Sequence, residues 1–143
     1  MQAETGEIEF VEIEIQLYHS VNSEDAANKI IEFLKSKNIP KGSKLTIEKT
    51  EEVINFGDKE GFGIYLDGRN LDDEIYKSCD SNFVVSELKR LIKDNDETVR
   101  YWEFPEKTGL YFYGNLFKEM EKQIESFVNE YPLCKNAEIK QIA

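Results

Sequence analysis

Apolar residues in this chain switch repeatedly between a period of two and a period near 3.6, and the switches divide it into strand and helix segments. Residues 7–18 carry the first period-two pattern, with Ile8 and Phe10 on one parity and Val11, Ile13, Ile15 and Leu17 on the other. The single slip predicts a bulge near Phe10, after which Glu12, Glu14 and Gln16 point away from the aliphatic side chains. One face of this strand is then a ladder of carboxylates.

Asn22 or Ser23 can cap a helix whose stripe is Ala27, Ile30, Ile31 and Leu34, and Pro40 requires it to end near Asn38. Residues 45–50 and 62–66 alternate as strands, the second closed by the turn pair Asp67-Gly68. A helical turn is expected at residues 71–77. Asp80 or Ser81 then caps a second full helix, with Val84, Val85, Leu88, Leu91 and Ile92 at helical spacing, ended by Asp94, Asn95 and Asp96.

Residues 99–104 and 110–113 are aromatic strands whose spacing fits an antiparallel hairpin, expected to lie mid-sheet. The last helix opens near Asn115, presents Phe117, Met120, Ile124, Phe127, Val128 and Tyr131 on one face, and stops at Pro132. Residues 137–142 form a terminal strand. The expected architecture is a single α+β domain over residues 1–143, with about six strands in a largely antiparallel or mixed sheet packed against three amphipathic helices.

A chain of 143 residues, 40% hydrophobic and with nine Phe and seven Tyr, has enough apolar surface for such a core. Its formal net charge of −11 is confined to two stretches. Residues 1–21 hold five acids and no Lys or Arg, residues 51–82 hold nine acids and three bases, and the remainder is neutral. Such a field favours a basic partner and opposes phosphate backbones and anionic lipid, so neither nucleic acid nor membrane is an expected partner. With no basic n-region before an apolar run and no apolar stretch of spanning length, the chain is expected to act in the cytoplasm.

Catalytic chemistry finds little support. His19 is the single histidine, and no nucleophile motif surrounds Cys79 or Cys134, which are too few and too widely spaced for a zinc knuckle and read as reduced thiols. The acids between Asp67 and Asp80 do not follow the calcium-loop spacing, and Gly61-Phe62-Gly63 precedes a strand where a phosphate cradle needs a helix. Aromatic strands that stack nucleobases come with a basic groove, whereas Arg100 and Lys107 stand here against Glu103 and Glu106. No cofactor, metal or enzymatic activity is expected.

The sequence favours an immunity-type inhibitor: a small protein that neutralises a basic, nuclease-like toxin by covering its cationic cleft with an acidic face. The expected contact residues are Glu12, Glu14, Asp67, Asp72, Asp73, Glu74, Tyr76 and Asp80, on a monomer or weak homodimer. The alternative is a small enzyme or ligand-binding domain with an aromatic pocket between helices and sheet, lined by residues such as Trp102 and Tyr113. A third possibility is a homo-oligomer that pairs through an exposed sheet edge.

Overall fold

A computed structural model of the chain describes residues 10–93 and 100–143. It is an α+β fold with two antiparallel sheets. Helix α1 (Ser23–Lys35) leads into a hairpin of β1 (Ser43–Ile47) and β2 (Glu52–Phe56). The second sheet contains β3 (Glu60–Asp67), β4 (Arg100–Glu103), β5 (Lys107–Gly114) and β6 (Glu138–Gln141), in the order β4-β5-β3-β6. Between β3 and β4 lie α2 (Asp73–Ser78) and α3 (Ser81–Leu91), and α4 (Phe117–Glu130) precedes β6.

The four-stranded sheet carries the main core. Alternation sends Phe62, Ile64 and Leu66 of β3 and Leu110 and Phe112 of β5 to one face, where Val84, Leu88 and Ile92 from the α3 region and Phe117, Met120 and Ile124 from α4 meet them. The register sets Phe62 beside Phe112 and Ile64 beside Leu110, and the two phenylalanine rings stand 6.0 Å apart. On α4 the expected apolar stripe is the buried one, and the helix ends one residue before Tyr131 and two before Pro132. Among the described residues no helix is long and apolar enough to cross a membrane.

Helix starts show how local chemistry positions these layers. Asn22 caps α1 by accepting the Asp25 N–H at 3.0 Å, with Glu24 and Asp25 in the first turn near the positive end of the helix dipole. Asp80 caps α3 through the Asn82 N–H at 2.8 Å. At the N-cap of α4, Leu116 has no side-chain acceptor, and Glu60 of β3 takes the Phe117 N–H at 2.6 Å instead. The same carboxylate accepts Lys41 Nζ at 2.8 Å, and these two donors, Lys41 first, hold the Glu60 carboxyl below its ordinary pKa. Glu60 thereby joins the start of α4 to the β1 approach.

Several expectations are revised. Of the segment read as the first strand, residues 11–17 join no sheet among the described residues, because alternation specifies two faces without supplying a neighbour. Residues 7–9, like Asp94, Asn95, Asp96 and Val99, lie outside the described residues. Strand β2 replaces it in the count. Its adjacent Val53 and Ile54 and its polar Glu52 and Asn55 blur the alternation, and a turn in which Glu51 adopts φ +56° returns it to β1.

The strands therefore divide into sheets of two and four where a single sheet was expected, and β4 lies at an edge while β5 is internal. Gly57 is required where the hairpin meets the second sheet. Its φ is +92°, and a Cβ there would come within 2.1 Å of the Pro40 carbonyl oxygen.

Candidate acidic interaction surface

Asp67 ends β3, and its carboxylate folds the following loop around itself. It accepts the backbone N–H groups of Arg69 (3.0 Å) and Asn70 (2.9 Å), the Asn70 side-chain amide (3.1 Å) and the Asn136 amide (3.2 Å). The Arg69 N–H and then the Asn70 N–H dominate in pulling its pKa down to about 2. This is an Asx-type turn written in Asp67-Gly68-Arg69-Asn70.

The Tyr76 hydroxyl closes the far side of the loop, donating to the Asp67 carbonyl and accepting the Leu71 N–H, both at 3.1 Å. Leu71 is buried in the main core. Arg69 pairs with Glu106 in the β4–β5 turn, and the Gly68 N–H donates to the Glu106 carbonyl at 2.9 Å. The loop is thus fixed to both strands beside it.

This bracing presents α2 with its acidic end outward. Asp72 is the N-cap residue, although its side chain makes no capping bond, and Asp73 and Glu74 occupy the first turn. All three are exposed, and their carboxylates make no hydrogen bond or ion pair with a described residue. Asp80 lies one short connection further on, exposed, with one carboxylate oxygen used in capping α3. Its backbone N–H donates to the Tyr131 hydroxyl at 3.3 Å, and burial raises the pKa of that phenol.

The eight expected contact residues therefore divide by environment. Asp72, Asp73, Glu74 and Asp80 lie close along the chain at the α2 and α3 starts, with outward carboxylates. Asp67 and Tyr76 shape the loop from within. Glu12 and Glu14 stand on the extended N-terminal segment, where Glu14 accepts only the Gln16 amide at 3.4 Å, and no hydrogen bond or ion pair joins them to the 67–80 loop. Sequence reading overlooked Glu60, Glu106 and Asn136 as organising residues; a helix start at Leu116 without its own capping side chain was the one available clue to Glu60.

Other candidate chemistry is dispersed. Cys134 is buried and its thiol is pushed up to about 11 by burial and then by the nearby Cys79, whereas His19 sits in an exposed turn. Among the described residues no group of three or more His, Cys, Asp or Glu converges as a metal site. Trp102 and Tyr113 occupy the sheet face opposite α3 and α4, paired in register with Gly109 and Gly61. The Arg100 guanidinium stacks 5.2 Å from the Tyr113 ring centre on that face. A depression of about 370 Å³ lies elsewhere, around the end of α4, and includes Tyr131, Cys134 and Asn136.

No protein-family model matches this chain, and comparison with curated proteins and with solved structures likewise finds no match.

Proposed function

We propose that the chain is a stoichiometric protein-binding inhibitor of the immunity type, acting in the bacterial cytoplasm on a basic, nuclease-like toxin. The observation that carries this reading is the contrast within one loop. The Asp67 carboxylate is occupied by hydrogen bonds within the loop, while the carboxylates of Asp72, Asp73 and Glu74 are held outward on a braced support and bond no described residue. Carboxylates so placed can stand where phosphates stand in a cationic cleft, and their desolvation is compensated only when a cation meets them.

The loop geometry favours such docking because little ordering is left to be done on binding. Asp80 extends the charged rim, and Glu12 and Glu14 add to the long-range field that steers a basic partner. The exposed ring of Phe83, which packs 5.2 Å from Tyr131 beside Asp80, supplies an apolar contact next to the charges.

Co-expression with the neighbouring reading frame, followed by purification through a tag on this chain, tests the reading. A one-to-one complex with a basic chain that is toxic when expressed alone is the expected result. Recovery of the protein alone at low salt contradicts it.

A further inference from the structure

We propose that residues 11–17 form a strand that adds to the outer edge of β1 in a second copy of this chain, and that two copies exchange these strands reciprocally. The segment has the alternating sequence of a strand and no strand partner among the described residues. Val11, Ile13, Ile15 and Leu17 share one face and are 77%, 79%, 55% and 42% exposed, while Glu12, Glu14 and Gln16 take the other face. The backbone groups of residues 11–17 make no hydrogen bond with a described residue.

The receptor is defined by what the β1–β2 unit lacks. It has two strands and one helix, and its buried residues Ala27, Ile31 and Ile47 lie outside the main core cluster. A sheet of this kind gains its stability from a third strand. Among the described residues β1 is bonded to β2 on one side only, and its outer row of N–H and C=O groups pairs with no other described strand.

Parity and charge select β1. With the segment's aliphatic face placed beside Leu45 and Ile47, toward α1, Glu12 and Glu14 fall on the same face as Lys44 and Thr46. Lys44 is exposed and has no ion pair with a described residue. The edge of β2 instead opens with Glu51 and Glu52, which would repel the segment. Occupation by a second copy follows from the elbow before α1. The Val21 N–H bonds the Tyr18 carbonyl at 2.9 Å and Asn22 caps the helix, and in that arrangement the segment leaves its aliphatic side chains exposed and does not pair with its own β1.

Light scattering on the full chain at high micromolar concentration tests the exchange. The expected mass is twice the 16.7 kDa of one chain. Ile13→Asp with Ile15→Asp should give a monomer that keeps the helical circular dichroism signal and cooperative unfolding, since both side chains are exposed in the single chain. Lys44→Glu should likewise dissociate the dimer, and adding Glu12→Lys and Glu14→Lys should restore it. Hydrogen exchange should show residues 11–17 protected in the dimer and unprotected in the Ile13→Asp, Ile15→Asp variant. A wild-type monomer overturns the proposal, whether its segment is unprotected or protected by closing on its own β1, and so does a dimer that survives the aspartate substitutions.

Discussion

Asp67 and Asp72 are five positions apart and both acidic, yet their surroundings give them different work. Asp67 collects four donors, and its lowered pKa makes it a source of stability with a defined pH window. Its contribution is fully present above the unfolded carboxyl value near 4 and is lost as pH falls toward about 2. Asp67→Asn should therefore lower the thermal midpoint at pH 7, and the gap from wild type should close in melts recorded between pH 4 and pH 2. A gap that stays constant with pH would show that the charge is irrelevant. The thiols differ in a similar way: one equivalent of iodoacetamide should modify the half-buried Cys79 in the native protein, and Cys134, with its pKa near 11 and its burial, should react only after unfolding. Peptide mass mapping distinguishes the two sites.

At the level of elements, α1 and α2 differ in what supports them. α1 closes its first turn with Asn22, so Asn22→Ala should cost about 0.5–2 kcal/mol in urea unfolding. α2 is only six residues long and is held by the loop before it, through Asp67, Leu71 and Tyr76, and hardly by its own cap. Replacing Asp72, Asp73 and Glu74 together with Ala should leave the thermal midpoint nearly unchanged, whereas Tyr76→Phe should lower it by removing the hydroxyl that links residues 67 and 71. A large fall in the triple variant would make those acids part of the fold. These elements also show what the sequence displayed and what it hid. The helices were legible because an amphipathic stripe names its buried face, as Val84, Leu88, Met120 and Ile124 did. β2 was hidden by its mixed pattern, and the division into two sheets depends on pairings between distant residues that alternation alone does not specify. In the acidic loop the charges were visible, but the consumption of Asp67 by Asn136, 69 positions away, was not.

For the whole molecule, stability rests on the four-stranded sheet and the helices on one of its faces, where Ile124 is fully buried. Ile124→Ala should destabilise the protein by about 2–5 kcal/mol in equilibrium denaturation, as large-to-small core changes do. The acidic end of α2 lies outside that core, and under the proposed function this separation leaves its charges for recognition while folding proceeds without them. Charges exposed in this way act over about 8 Å at physiological salt, so their influence on a partner is greatest during encounter. The most direct measurement is the association rate with the basic chain captured by co-expression, recorded against ionic strength for the wild type and for the Asp72, Asp73, Glu74 alanine variant. The proposal predicts a steep fall with salt for the wild type and a slower, flatter dependence for the variant. Equal rates in the two proteins, or a wild-type rate indifferent to salt, would contradict it.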